Sequence, residues 1–107
     1  SLVIINYCEA LEQDRKYVIA RQLLRSASSI GANVLEAQNA ESKADFIHKM
    51  KIAAKEASET LYWLILCERS ERYRFDTRLR NDLDEIIKIL SKIISSSKGK
   101  NPDLFGD

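Results

Sequence analysis

The sequence predicts an all-α protein, an antiparallel up-and-down four-helix bundle, and three observations carry that prediction. Apolar residues recur at helical spacing in four separate segments. Strand-like alternation occurs nowhere, and 107 residues include only three glycines and one proline. Short polar runs separate the periodic segments, which suits tight connections between antiparallel neighbours.

The first helix is expected over 2–12. Leu2, Ile5, Cys8 and Leu11, with Ile4 beside them, recur at helical spacing until "EQDRK" at 12–16 interrupts them. The second is expected over 17–38, where Ala20, Leu23, Leu24, Ala27, Ile30, Gly31, Val34, Leu35 and Gln38 fall within roughly 120° when projected at 100° per residue. It contains "RSASSIGANVLEA" at 25–37, a run rich in small residues in which Gly31 should cost about 1 kcal/mol against alanine. The sequence-based expectation is that Ala27 and Gly31 face the core and let a neighbouring backbone approach closely, so that contact offsets the lost propensity.

Asn39 to Glu41 break the pattern, and Ser42 followed by Asp45 has the form of an N-terminal cap. A third helix is expected from there to Ser70, on the order of 40 Å long. Its core stripe is Phe46, Met50, Ala53, Ala57, Leu61 and Leu64, widened by Ile47, Ala54 and Ile65. After "ERYRF", Asp76 or Thr77 can cap a fourth helix over 77–97, with Leu79, Leu83, Ile86, Ile87, Leu90, Ile93 and Ile94 on its apolar face. Residues 1–97 thus form one domain, and 98–107 are expected to be a flexible tail in which Pro102 prevents the helix from resuming.

Composition excludes several classes of function. Lysine and arginine number 17 against 16 acidic residues, a net charge of +1, so no global field draws the protein to nucleic acid or anionic lipid. "LVII" and "YWLILC" are far shorter than the roughly 20 residues needed to cross a bilayer. No signal-peptide organisation is visible, and the expected location is cytoplasmic. Cys8 and Cys67 lack CxxC spacing, and His48 is the single histidine, so the cysteines read as reduced buried thiols in preference to a disulfide.

The search for a catalytic constellation finds none. His48 has no histidine partner, carboxylate metal sites in bundles use Glu-x-x-His pairs that this chain lacks, and phosphate-binding loops and nucleophile elbows are absent. No catalytic residue, metal site, cofactor or small-molecule substrate is therefore expected. Arg25 with Glu56 or Glu59 reads as an interhelical salt bridge that fixes register.

Two surfaces stand out instead. Opposite the core face of the third helix lie Ile52, Trp63 and Leu66, with Glu56 and Glu59 between them. The corresponding face of the second helix carries Gln22, Arg25, Ser26, Ser29, Asn33 and Glu36, polar and mostly short. These residues form a candidate oligomer interface, since aromatic and large apolar groups concentrate at contacts between chains. The alternative is that Trp63 covers a loop or the first helix. The second surface is basic. Arg69, Arg72, Arg74, Arg78 and Arg80, interleaved with Tyr73 and Phe75, face only Glu71 and Asp76, and Arg15, Lys16 and Arg21 would lie at the same end of an antiparallel bundle. Arginine with aromatics can engage phosphate and stack on bases, so an RNA- or DNA-binding rim is the alternative function.

"RQLLRSASSIGANVLEA" at 21–37 and "DFIHKMKIAAKEASETLYWL" at 45–64 resemble the four-helix-bundle family encoded in intervening sequences of bacterial 23S ribosomal RNA genes. The resemblance rests on Gln22, Leu23, Arg25, Ser29, Ile30, Asn33, Glu36 and Ala37 in the second helix. In the third it rests on Phe46, Ala57, Glu59 and Leu64. It implies a homopentameric ring with no established enzymatic activity; the ribosomal label some members carry reflects where the gene sits. A related branch, the accessory variability proteins of diversity-generating retroelements, looks like basic pentameric barrels that bind nucleic acid and a reverse transcriptase. The near-neutral charge departs from that branch. The first helix is also shorter than in the family, which leaves the packing of Tyr7 and Cys8 open. The expectation is a non-enzymatic oligomeric scaffold or binding module whose partner is itself, with nucleic acid as the alternative.

Overall fold

The computed structural model describes residues 2–99, and within them four helices follow one another: α1 (Leu2–Gln13), α2 (Tyr17–Gln38), α3 (Lys43–Arg69) and α4 (Thr77–Gly99). Among the described residues there is no strand. Consecutive helices pack side by side in an up-and-down bundle with extents of 51 × 19 × 17 Å. The helix ends match the sequence expectation closely, α2 at both. α4 continues through Ser97 and Lys98 to Gly99, past the expected end at 97, so residues 98 and 99 of the expected tail are helical; its remainder, 100–107, lies outside the described residues.

The ends are fixed by local chemistry. Ser42 Oγ accepts the Asp45 backbone N–H at 3.1 Å, the cap the sequence announced. Asp76 Oδ1 accepts the Arg78 N–H at 3.0 Å and opens α4. At the end of α1, Arg15 takes φ 65°, its N–H bonds to Glu12 O at 2.9 Å, and the Lys16 N–H reaches Leu11 O at 2.8 Å. That is a Schellman closure with arginine where glycine is usual. It turns the chain sharply into α2.

The core is built from Ile4, Tyr7, Cys8 and Leu11 of α1, Ala20, Leu23, Ile30 and Ala37 of α2, Met50, Ala53, Ala57, Leu64 and Cys67 of α3, and Leu79, Leu83 and Leu90 of α4. In α1, Ile4 and Tyr7 face inward with Cys8 and Leu11, while Ile5, expected on that stripe, is 38% exposed. The larger correction concerns α2. Its buried residues are Ala20, Leu23, Ser26, Ile30, Asn33 and Ala37, a face turned roughly 70° from the apolar stripe at 100° per residue. Leu24, Gly31 and Leu35 consequently face outward.

The lengths explain the rotation. α1 spans about 18 Å against about 33 Å for α2 at 1.5 Å per residue, and Ile4 sits beside Ala27 and Ile30, midway along α2. α1 therefore covers only the first half of α2. Helix α3 runs the full length and packs against the small polar side, so that side is the one buried. Gly31 points away from the core, and a Cβ placed there would meet nothing within 4 Å. The expected close approach at Gly31 does not occur.

Candidate interaction surfaces

The outer faces of α2 and α3 are joined by one polar network. The Arg25 guanidinium of α2 bonds Glu56 Oε2 at 3.1 Å and also Glu59 Oε1, both on α3. Arg25 Nε donates to Gln22 Oε1 at 3.3 Å, and the Trp63 indole N–H to Glu59 Oε1 at 3.4 Å. The Arg25 guanidinium, and secondarily the Trp63 N–H, hold the Glu59 carboxyl below its usual range. Two turns back along α3 from Glu56, Lys49 Nζ lies 3.7 Å from Glu36 Oε2. Tyr62 packs edge-on against Trp63, ring centroids 5.1 Å apart. The surface is thus preorganised: an arginine clamped by two carboxylates, with an aromatic pair at its edge.

The proposed interface residues divide into two groups. Gln22, Arg25, Ser29, Glu36, Ile52, Glu59, Trp63 and Leu66 all keep contact with solvent, Leu66 at 38%. Ser26 and Asn33 do not belong with them, which corrects the sequence reading. Ser26 is fully buried, its hydroxyl 2.8 Å from that of Thr60, with the Leu23 and Glu56 carbonyls as further acceptors at 3.4 and 2.8 Å. Asn33 is 9% exposed and turns its amide back to Ser29, at 2.9 Å to the carbonyl and 3.2 Å to the hydroxyl. Both are short enough to let α3 approach, and each meets its hydrogen-bonding need locally.

Trp63 is half-buried and packs against the core cluster, so it covers the interior as well as edging the surface. Tyr62, 56% exposed, is the more prominent aromatic, and sequence projection missed it. Its signal was spacing, since Tyr62 and Leu66 are one turn apart on α3 and share a face. Thr60 was missed likewise, although it keeps step with Ala53, Ala57 and Leu64.

At the opposite tip, the α1–α2 and α3–α4 connections come together as the topology requires. Arg74 forks onto Asp14 with both bonds at 2.7 Å, and the Lys16 ammonium lies 5.1 Å from the Tyr73 ring centroid. The Arg74 guanidinium holds the Asp14 carboxyl low, and that of Arg78 does the same for Asp76. Arg78 pairs with Asp76 at 2.6 Å and Arg80 with Glu68 at 2.7 Å. Arg15, Arg21, Arg69 and Arg72 have no ion pair among the described residues and are exposed. Much of the basic cluster thus serves the joint between connections.

Under that tip lies a buried polar cluster. The Tyr7 hydroxyl donates to the Arg74 carbonyl at 2.7 Å, and its ring meets Phe75 edge-on with centroids 6.0 Å apart. Burial raises the Tyr7 hydroxyl well above its usual value, with Cys67 as a further contributor. Burial likewise pushes the Cys8 thiol up to about 11 and raises Cys67. Both cysteines are free thiols. Among the described residues no group of three His, Cys, Asp or Glu side chains is placed to hold a metal, and no helix is long and apolar enough to cross a membrane.

Four antiparallel helices with a clamped polar seam on one face and paired basic connections at one tip define an all-α bundle of the up-and-down type. A family model described as 23S rRNA-intervening sequence protein matches residues 1–92, and the chain belongs to that family. The chain is similar to a crystal structure of a protein of unknown function from the S23 ribosomal protein family of Bacteroides thetaiotaomicron. The two are 45% identical with a TM-score of 0.82, over 88% of this chain and 90% of that one. No curated protein matches.

Proposed function

We propose that the protein is a non-enzymatic, cytoplasmic scaffold or binding module that works by associating with copies of itself through the outer face of α2 and α3. The observation that carries this reading is the Arg25–Glu56–Glu59–Trp63 network bordered by Tyr62 and Leu66. Arginine, tryptophan and tyrosine are the residues that anchor interfaces, and holding them in place before contact lowers the entropy lost on binding. The family resemblance, through Arg25 and Glu59, supports a ring of five. Buried thiols kept in reduced form fit a cytoplasmic protein.

Sedimentation velocity at micromolar concentration tests the proposal. The full chain is expected to sediment as a homopentamer, and Tyr62→Glu with Leu66→Glu is expected to release folded monomers. A wild-type chain that sediments as a monomer overturns the reading.

A second reading, a nucleic-acid-binding accessory role, has one observation in its favour: the two connections meet, which brings Arg15, Arg21, Arg69 and Arg72 to one tip with no ion-pair partner among the described residues. The ion pairs of Arg74, Arg78 and Arg80 count against it, because phosphate would have to displace carboxylates already in place. Fluorescence anisotropy with labelled RNA across a salt series decides. If this role holds, Arg69→Glu with Arg72→Glu removes a salt-dependent affinity; if affinity is absent, or indifferent to that change, it does not.

A further inference from the structure

The tip where the two connections meet carries apolar side chains as well as charge. Tyr17 and Val18 open α2 and are 55% and 76% exposed, and Val18 is the most exposed large apolar residue among those described. Arg21, three residues from Val18 and four from Tyr17, shares their outer face of the helix and is exposed. Arg15 lies just before them, and the Arg74–Asp14 pair and the Lys16–Tyr73 contact bring Arg69 and Arg72 to the same end. The carboxylates of Asp14, Asp76 and Glu68 are already taken up by arginines, which leaves Glu12 and Glu71 as the exposed acidic residues closest in sequence to these four exposed arginines. The chain as a whole is near neutral, so the positive excess is local to this tip.

We infer that this tip docks on the surface of an anionic phospholipid membrane, with Tyr17 and Val18 entering the interface and Arg15, Arg21, Arg69 and Arg72 meeting lipid phosphates. The combination of residue types carries the inference. A nucleic acid would use the arginines and could stack a base on Tyr17, but it offers the aliphatic Val18 no apolar phase to enter. A lipid interface takes both kinds of group. A tyrosine ring sits at the level of the headgroups, a valine reaches the acyl boundary beneath, and cationic side chains gain from the negative surface potential within a screening length of about 10 Å. The local structure also holds the pair in place. The closure at Arg15, with its positive φ of 65°, and the Lys16–Tyr73 contact fix where α2 begins. The bundle measures 51 × 19 × 17 Å, so its end presents a small area that a flat partner can meet. The inference does not depend on self-association through the α2–α3 face, and it uses the arginines of the second reading for a different partner.

Co-sedimentation of the full chain with vesicles tests it. At low salt the chain is expected to bind vesicles in which a third of the phosphatidylcholine is replaced by phosphatidylserine, to ignore vesicles of phosphatidylcholine alone, and to be released as salt is raised. Tyr17→Ser with Val18→Ser keeps the charge and alters only exposed side chains, so the bundle itself is preserved, which circular dichroism checks. This pair of changes is expected to weaken vesicle binding about tenfold, because the apolar contact is lost while the electrostatic one stays. Arg69→Glu with Arg72→Glu is expected to abolish it. No binding to the mixed vesicles, or binding that the serine pair leaves unchanged, overturns the inference. Labelled single-stranded RNA supplies the counter-test: an RNA affinity that the serine pair removes assigns Tyr17 and Val18 to a nucleic-acid contact, and that result overturns it as well.

Discussion

Thr60 and Ser26 are the polar pair on which the α2–α3 contact turns. Two hydroxyls 2.8 Å apart, both fully buried, join the helices where large apolar groups would hold them apart. Thr60→Val leaves the Ser26 hydroxyl with only a 3.4 Å carbonyl contact, and chemical denaturation is expected to find a loss of about 1–2 kcal/mol. Adding Ser26→Ala should recover part of that loss, because the orphaned hydroxyl is then gone. The cysteines are controlled by burial in the same way. With Cys8 pushed up to about 11 and Cys67 raised, neither is a thiolate at neutral pH. A colorimetric thiol reagent at pH 8 is expected to react slowly with the native protein and to titrate both thiols once denaturant is added. Such residues were only partly legible beforehand. Cys8 and Cys67 read as buried thiols from their lack of partners, whereas Ser26 reads as surface because a short hydroxyl has no hydropathy to show that it is satisfied inside.

At the scale of the helix, α2 has an apolar stripe on one side and its buried side on another. Gly31 illustrates the consequence. It is helical, exposed and without neighbours at its missing Cβ, so Gly31→Ala should gain helix propensity without a clash and raise stability by about 1 kcal/mol, measured as a shift in denaturation midpoint. Had the glycine admitted a neighbouring backbone, the same change would destabilise. The connections give a prediction of a different kind. Arg74 lowers Asp14 below its ordinary value near 3.8, and Arg25 lowers Glu59 below 4.5. A carboxyl group lowered in the folded state contributes stability above its unfolded value and loses that contribution as pH falls through the folded value. The thermal midpoint is therefore expected to be flat from neutral pH to about 5 and to decline below about 4. Arg74→Ala should reduce that acid-side decline, because Asp14 then titrates alike in both states.

Across the whole molecule, a bundle 51 Å long with a half-length α1 leaves unequal faces: a polar seam with aromatic edges along α2 and α3, and an apolar groove between α2 and α4. The first is the face proposed above for association between copies. The four helices, their ends and the Ser42 cap could be read from periodicity and capping residues, since these depend on neighbours three or four positions away. So could the meeting of the two connections at one tip, which follows from antiparallel order alone, and the family, through residues 21–37 and 45–64. Which side of α2 faces inward could not. That depends on where α1 stops and on how closely α3 approaches Ser26 and Asn33, distances set between helices distant in sequence. Hydropathy ranks residues by their cost in water, but the packing decides which of them a neighbour is present to cover.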